Sequence, residues 1–473
     1  MDATALDDRL IPPLRADVVL EEDPRGGRMP FAAVDRPLGQ KVRLDPRGMA
    51  VASALDRPRT GPELSAVLEH MTGMRFAPEL LVRFVRFLDG HCLLAGERAE
   101  RRRAALDAAD ARPDGITFLG GTQHECVACG HSCEAHDVGP IDPAQVVAAE
   151  ALNAGGRFVR RQTNDAETTG HYCAMEGDRC TFLRPDHLCR IHALGGVAPK
   201  PTDCRVFPLA FTRTPAGVVA GVRLECRSYL QSKRNGGALA ERGVELSELY
   251  GHLPSVSEVA PLVRLDGAVT LPYSEWLPIR AELLAAVEQG PPVVWAGLAA
   301  LNARACQLLA AARDADTRTW VYPPDPDAPT GAPREAVVAA LVDGCEMAAR
   351  MNAAGGNPLR AERLTRVARA AGRLGSPPEP ATMTDDEDEL LRDHLRQSLF
   401  LEDALQGPHV RFGLAVLNVS VLAAVAGRAE ADHLNGALAD TLKALRAGPV
   451  QSRLAAVDEP LAEWFFDRLA TSA

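Results

Sequence analysis

Cysteines are the residues of this sequence whose number and spacing could support chemistry. The chain of 473 residues contains 11 cysteines, and eight of them lie between residues 126 and 226. These eight are Cys126, Cys129, Cys133, Cys173, Cys180, Cys189, Cys204 and Cys226. In a reducing compartment, clustered thiols usually bind metal or carry out redox chemistry, because disulfides are rare there. The segment therefore predicts a cysteine-ligated metal site.

The first three of these cysteines have the spacing C-x2-C-x3-C. Two residues separate Cys126 from Cys129, so one tight turn could direct both sulfurs towards a single ion. Gly130 would let the backbone curve around that ion, because glycine adopts a positive φ without steric penalty. Cys133 could then supply a third sulfur. Four thiolates satisfy either a zinc ion or an iron–sulfur cluster, so the metal, and whether there are one or two sites, stay open.

Cys180, Cys189 and Cys204 are the long-range candidates to complete the coordination sphere. His131 and His136 flank the first motif and could also bind metal, although histidines beside such a cluster are more often surface residues. Three further cysteines lie in apolar, helical patterns, where a cysteine behaves as a small hydrophobic residue. They are Cys92, Cys306 and Cys345.

Five sequence elements of this segment resemble the zinc- or iron-chelating cysteine-cluster family, in particular its flagellin lysine-N-methylase branch. They are the leading C-x2-C cluster, C-x-F-L from Cys180, L-C-x-I around Cys189, C-R-x-F-P from Cys204, and Cys226 after a strand-like stretch. The resemblance implies a protein-lysine methylating enzyme that uses S-adenosylmethionine, with the metal centre binding or orienting the reactants. The alternative is a non-catalytic metal-binding scaffold, or a peptide-recognition protein in a peptide-modification system.

The sequence departs from this family after Cys133, where Glu134 replaces a second, adjacent cysteine. Either the missing thiol is not a ligand, or Glu134 supplies an oxygen, or Cys173 takes its place. Oxygen ligation would favour a cluster with a labile iron over an all-thiolate zinc site. The amine and carboxylate of S-adenosylmethionine could chelate that iron, and Arg205 could pair with the carboxylate. The usual methyltransferase Rossmann site is not visible, because no G-x-G-x-x-G follows a strand.

The segment that precedes the cysteines predicts a small unit over residues 10–100. Apolar stretches at residues 18–20 and 31–34 predict strands, and periodic leucines after Thr60 predict helices. Thr60 and Glu63 have the spacing of a capping box. The pattern resembles winged-helix-like peptide-recognition domains. This resemblance implies that an exposed strand edge near residues 18–20 or 31–34 accepts a peptide.

The remainder of the chain predicts helices, so the expected fold class is mainly α with small β content (α+β). We expect a winged-helix-like unit over residues 10–100, an irregular cysteine-rich metal domain over 115–235 and a helical domain over 250–473. Two interruptions, at residues 323–333 and 375–389, predict loops, and the second ends in an acidic run that we interpret as solvated.

The composition of the chain limits the partners and the cellular location that we expect for the protein. The formal net charge of −11 argues against a nucleic-acid partner, because phosphate binding needs a basic surface. The N-terminal residues are acidic and lack the apolar segment of a secretory signal. The longest apolar run, residues 412–426, contains Asn418 and is short for a membrane span, so it predicts a buried core helix. We therefore expect a cytoplasmic protein with a protein or peptide substrate and no membrane contact. The oligomeric state stays open.

Overall fold

The computed structural model describes residues 10–22, 30–36, 40–109, 115–134, 138–162, 169–177, 179–253, 256–265, 270–316, 333–374, 383–431, 433–457 and 461. It contains 56% helix and 16% strand in several small sheets, so the predicted mainly-α class with some β is confirmed. The chain forms two compact units. One contains Met1–Pro113, Val259–Ala281 and Ala305–Pro329, and the other contains Asp114–Glu258, Glu282–Arg304 and Thr330–Ala473.

The secondary-structure elements are numbered here in chain order. The strands are β1 Val18–Glu22, β2 Phe31–Asp35, β3 Gln40–Leu44, β4 Ile116–Phe118, β5 Phe158–Gln162, β6 Thr169–Cys173, β7 Met175–Glu176, β8 Arg179–Cys180, β9 Leu209–Thr214, β10 Gly217–Val222, β11 Ser257–Glu258, β12 Leu262–Arg264 and β13 Thr270–Pro272. The helices are α1 Pro46–Ala54, α2 Gly61–Thr72, α3 Pro78–Gly90, α4 Glu97–Ala109, α5 Pro143–Glu150, α6 Arg190–Gly195, α7 Thr202–Val206, α8 Tyr229–Asn235, α9 Gly243–Gly251, α10 Tyr273–Gln289, α11 Leu298–Asp316, α12 Pro333–Ala354, α13 Pro358–Arg373, α14 Asp385–Phe400, α15 Val410–Gly427, α16 Leu434–Leu445 and α17 Gly448–Ala455.

The first unit begins with an antiparallel sheet in the order β1-β2-β3, and helices α1 to α3 follow. Thr60 and Glu63 form the predicted capping box at the start of α2. Buried aliphatic side chains, among them Val42, Leu64 and Leu88, join the sheet and the helices in one core. Because β2 is the central strand, its backbone is paired on both sides. Residues 31–34 therefore cannot accept a peptide by strand addition, whereas residues 18–20 lie in the edge strand β1.

The second unit contains the cysteines, which are carried by short strands and turns. A four-stranded sheet has the order β11-β9-β10-β4, in which β9 and β10 pair antiparallel and the outer strands pair parallel to them. Two hairpins, β5-β6 and β7-β8, place Cys173 and Cys180 at strand ends. A small apolar core beneath them includes Val138, Phe182 and Ile191, and it positions the turns that carry the sulfurs.

Helices α12 to α17 pack together in the rest of the second unit. By length and composition, α15 could cross a membrane, but most of its residues are buried within the unit, as predicted for a core helix. The acidic run at residues 385–389 was predicted to be a loop, and this was wrong. It forms the first turns of α14, where Thr384 and Glu387 make a capping box. Acidic side chains favour this position because they face the positive end of the helix dipole. Residues 323–332 and 375–382 lie outside the described residues.

Candidate metal centre

All eight clustered cysteines line one cavity of about 140 Å³ in the second unit. Apolar side chains, including Val127, Phe182 and Ile191, form much of its wall. The cavity thus brings together sulfurs that are separated by up to a hundred residues in the chain. The three other cysteines, Cys92, Cys306 and Cys345, do not line it. This is the division between clustered and isolated cysteines that the sequence predicts.

The turn that carries Cys126 and Cys129 depends on a left-handed backbone at Gly130. Its φ is +72°, as the sequence predicts. A side-chain Cβ at this position would lie 2.8 Å from the imidazole of His187, so only glycine fits the space as well as the conformation. Ala128 also has a positive φ, of +54°. The tight turn places both cysteines at the cavity and leads into a short 3-10 helix that ends at Cys133.

The eight thiols form two groups, which we name by size. In the five-thiol group, Cys173 is hydrogen-bonded to Cys180 and Cys204, and Cys133 lies near Cys180, Cys189 and Cys204. In the three-thiol group, Cys226 lies near Cys126 and Cys129. The C-x2-C-x3-C motif is therefore divided between the two groups, since Cys133 belongs with the later cysteines and not with the first two.

Backbone N–H groups donate hydrogen bonds to three of the cysteine sulfurs. In each case a donor lies two residues after the cysteine, and Cys180 and Cys189 have a second donor three residues after. The donors are Phe182 and Leu183 for Cys180, Ile191 and His192 for Cys189, and Ser228 for Cys226. Such bonds stabilise a thiolate over a thiol. They also explain the C-x-F-L and L-C-x-I motifs, because each motif is the turn that directs these N–H groups at the sulfur.

The pKa values of the thiols reflect burial and their mutual contacts. The hydrogen bond from Cys173, together with the backbone donors, lowers the pKa of Cys180 to about 7. Burial, followed by the proximity of Cys204, raises the pKa of Cys133 to about 12. The hydrogen bonds that it shares with Cys180 and Cys204 raise the pKa of Cys173. A bound metal ion would reverse these upward shifts, because its charge stabilises each thiolate that binds it.

The sulfurs converge on the cavity, but they are not yet arranged around a single point. Among the described residues, no group of three or more His, Cys, Asp or Glu side chains is close enough to hold one ion. Cys173 instead shares hydrogen bonds with its two neighbouring thiols. Ligation would therefore replace these thiol–thiol hydrogen bonds by metal–sulfur bonds and draw the side chains together.

Comparison with models of protein families, with curated proteins and with solved structures finds no match. The assignment of the site therefore depends on the residues themselves. The resemblance to the cysteine-cluster family remains a hypothesis carried by the five sequence elements around Cys126, Cys180, Cys189, Cys204 and Cys226.

Six polar residues that the sequence did not single out also line the cavity: His124, His187, His192, Lys200, Asp203 and Ser232. His124 is buried, its Nε2 atom has no hydrogen-bond partner, and burial lowers its pKa to about 4. Its imidazole is therefore neutral at pH 7, the form that binds metal. The ammonium group of Lys200 favours the thiolates of Cys133 and Cys189. His124 and His187 each lie two residues before a cysteine, Cys126 and Cys189, and this spacing is the signal that could have indicated them from the sequence.

Three residues that the sequence proposed as possible ligands or contacts, Arg205, Glu134 and His131, do not line the cavity. Arg205 is not among the lining residues, and its buried Nε atom has no hydrogen-bond partner. Glu134 faces other charges, with its carboxylate 3.7 Å from His131 Nδ1 and 3.9 Å from Arg363 Nη2. His136 lies outside the described residues. The described residues thus bring the imidazoles of His124, His187 and His192 and the carboxylate of Asp203 to the cavity, and not Glu134 or His131.

Proposed function

We propose that the cysteine cavity holds an iron–sulfur centre, with zinc as the alternative. The observation that carries this proposal is the convergence of eight thiols on one cavity, three of them with backbone N–H donors directed at the sulfur. The five-thiol group can provide the four thiolates of a four-iron, four-sulfide cluster with one thiol to spare. Hydrogen bonds to cluster sulfurs tune the reduction potential, so these turns would also set the redox properties.

The three-thiol group has the donors for a second centre. Cys126, Cys129 and Cys226 provide three sulfurs, and the unpartnered Nε2 atom of His124 provides a nitrogen from the same cavity wall. Three thiolates and one imidazole form a common closed zinc site. The chain therefore has enough donors for two centres. A zinc site that uses the three-thiol group is compatible with an iron–sulfur cluster in the five-thiol group.

The activity that we propose for this centre is methylation of a protein lysine. The support is the sequence resemblance, to which the cavity adds two suitable side chains. S-adenosylmethionine would supply an electrophilic methyl group. Lys200 would pair with the carboxylate of the cofactor, the role that the sequence assigned to Arg205. Burial raises the pKa of Asp203, so its carboxylate would accept the proton that a lysine ammonium must lose before its nitrogen attacks the methyl carbon.

The N-terminal unit would recognise the substrate as a winged-helix-like peptide-binding domain. Its edge strand β1 contains Val19, whose side chain is 47% exposed, and an extended peptide could pair with that edge. The cysteine-rich and helical segments would then form the metal domain and the C-terminal helical domain of a cytoplasmic, peptide-modifying protein. If the cavity serves only a structural role, the same arrangement would make the protein a metal-stabilised peptide-binding scaffold.

Anaerobic purification followed by a visible spectrum and metal analysis tests the central proposal. An iron–sulfur centre gives brown protein with charge-transfer absorption and acid-labile sulfide. Colourless protein with stoichiometric zinc and no iron would show that the centre is zinc and not an iron–sulfur cluster. If the protein binds neither metal after reconstitution, the proposal that the cavity binds metal is refuted.

A further inference from the structure

A second cavity in the same unit is surrounded by cationic side chains. It has a volume of about 210 Å³ and lies between α13 and α16. Four of the side chains that line it are basic, although the protein as a whole has a net charge of −11. They are Arg360, Arg363, Lys443 and Arg446. A local excess of one charge in a protein of the opposite sign indicates a specific use of that charge.

Two carboxylates, of Glu225 and Asp440, also line this cavity, but the acids that the structure describes here are fewer than the cations. Asp440 accepts from Arg227 at 2.6 Å and from Arg366 at 3.3 Å, and Glu225 pairs with Arg446. Arg360 has a partner of its own. Among the described residues, the other five basic side chains are thus served by three carboxylates, of Glu134, Glu225 and Asp440. A fourth acid, Glu362, pairs with Arg366 but is mostly exposed. The cavity therefore retains positive charge.

Arg363 is the side chain in which this imbalance is concentrated. Only 9% of its side chain is exposed, yet its Nε and Nη1 atoms have no hydrogen-bond partner. Its nearest carboxylate oxygens are those of Asp440 at 3.8 Å and Glu134 at 3.9 Å, which is too far for a hydrogen bond. A buried guanidinium with unused donors is costly, because it has lost its hydration without replacement. An anion in the cavity would satisfy these donors.

We propose that this cavity binds a phosphate-type oxyanion, either free or as the phosphate group of a small molecule. A phosphate group carries nearly two negative charges at pH 7 and presents several acceptor oxygens, which matches a cavity lined by four basic side chains. The planar guanidinium of Arg363 can donate to two of those oxygens at once. A carboxylate carries one charge and would neutralise less of the excess.

The cavity adjoins the backbone segments that carry two of the cysteines. Glu225 and Arg227 flank Cys226, and Glu134 follows Cys133. Occupation of the anion site would therefore change the charge next to both thiol groups. The proposal does not depend on the metal centre, because no cysteine lines this cavity.

Calorimetric titration of the full-length protein with inorganic phosphate tests the site. Glycerol 3-phosphate serves as a phosphate ester, acetate as a carboxylate, and ionic strength is held constant. We expect phosphate or its ester to bind, and Arg363→Gln to weaken that binding at least about tenfold, because a charge-assisted hydrogen-bond donor is lost. The matched control is Arg369→Gln on the same helix. Arg369 is 60% exposed and pairs with Glu430, so its loss should leave the affinity unchanged.

The melting temperature provides the second measurement. Phosphate should raise the melting temperature of the wild-type protein, because a ligand that binds only the folded state stabilises it, and should not raise that of Arg363→Gln. Without phosphate, Arg363→Gln should be at least as stable as the wild type, since it removes a buried guanidinium that has two donor atoms without hydrogen-bond partners. If Arg363→Gln does not fold, Lys443→Gln replaces it. Equal phosphate binding by wild type and variant, binding of acetate alone, or no binding would overturn the proposal. Unchanged metal content in Arg363→Gln would keep this result separate from the metal centre.

Discussion

The thiol of Cys173 donates a hydrogen bond to the sulfur of Cys180. The two cysteines end the strands β6 and β8, which belong to different hairpins. This contact lowers the pKa of Cys180 to about 7 and raises that of Cys173, so Cys180 is the first thiol of the pair to ionise. A metal ion that binds both sulfurs would displace the remaining protons.

The first prediction concerns the acidity of this pair. In metal-free protein under anaerobic conditions, one thiolate should appear with a midpoint near pH 7, whereas an ordinary cysteine ionises at about 8.5. Cys173→Ala removes the donor and leaves Cys180 buried, so that midpoint should move to higher pH. Thiolate absorbance in the ultraviolet, taken as the difference between wild type and variant, measures it. An unchanged midpoint in the variant would show that the contact does not control the ionisation.

The second prediction concerns the cysteines that hold the metal. Changing Cys126, Cys129, Cys189 or Cys204 to Ala should lower the metal content and the melting temperature, because metal-binding energy contributes to folding in a loop-rich segment. Cys345→Ala is the control, since Cys345 is a buried thiol of α12 in the same unit and remote from the cavity. It should lose only the small free energy of a cavity, and Cys306→Ala should behave in the same way. Equal metal loss in Cys126→Ala and Cys345→Ala would refute the assignment.

The convergence of the cysteines could be predicted from the sequence, but their division into two groups could not. Local spacing predicts the turn at Gly130, because a glycine after C-x2-C has a clear steric reason. The grouping depends on contacts between Cys133 and residues about 50 to 70 positions later, and such contacts are set by the packing of two hairpins. Lys200 and Asp203 were missed for the same reason.

The elements of the N-terminal unit follow local rules, so they were predicted more fully. Apolar stretches predict the first two strands, periodic leucines predict α2, and the T-x-x-E spacing predicts the cap at Thr60. The order of the strands was not predictable, because pairing of β3 with β2 is a tertiary contact. The acidic run at residues 385–389 was misjudged because its charge suggested solvent exposure, whereas Thr384 and Glu387 indicate a helix start.

The third prediction concerns acid stability. Burial lowers the pKa of His394 to about 4, and its Nε2 atom lies 2.6 Å from Ser420 Oγ. The unfolded chain would titrate at about 6.5, so the unfolded state binds more protons between these values. The stability contributed by neutral His394 is present above pH 6.5 and is lost as the pH falls towards 4, by up to about 3 kcal/mol.

His394→Gln should remove this contribution to the pH dependence, because glutamine can bond to Ser420 but does not titrate. Denaturant unfolding between pH 4 and 7, at the same metal content, compares the variant with the wild type. His70→Gln, on the exposed side of α2, is the control and should keep the wild-type slope. Parallel curves for wild type and His394→Gln would mean that another group controls acid unfolding.

The fourth prediction concerns peptide recognition by β1. Val19→Asp should weaken capture of peptide partners, because it places a charge on the exposed apolar edge strand, and the metal content should stay unchanged. Deletion of residues 10–100 should abolish capture, but it also removes the packing partners of residues 259–281, so the point variant is the cleaner test. Val244→Asp, at a 79% exposed valine of α9, is the control. Recovery of the same partners by wild type and Val19→Asp would show that the edge of β1 does not bind the peptide.

The last prediction separates an enzyme from a scaffold. If the resemblance to the lysine methylases carries function, S-adenosylmethionine should bind the anaerobic, metal-replete protein. The binding should be lost in Cys129→Ala, because the concentrated chemistry of this chain lies between residues 126 and 226 and no Rossmann glycine loop is present in the sequence. Calorimetry on the wild-type protein measures the affinity directly.

Variants of two basic residues test which side chain binds the carboxylate of the cofactor. Lys200→Ala should weaken binding by roughly tenfold if the lining ammonium pairs with the carboxylate. Arg205→Ala should have the larger effect only if the sequence-based assignment is correct and the guanidinium turns into the cavity when the cofactor binds. Loss of methyl transfer with retained binding in Asp203→Asn would assign the proton-accepting role to that carboxylate. Absence of binding at millimolar cofactor would favour the scaffold, and binding that survives Cys129→Ala would place the cofactor outside the cysteine cavity.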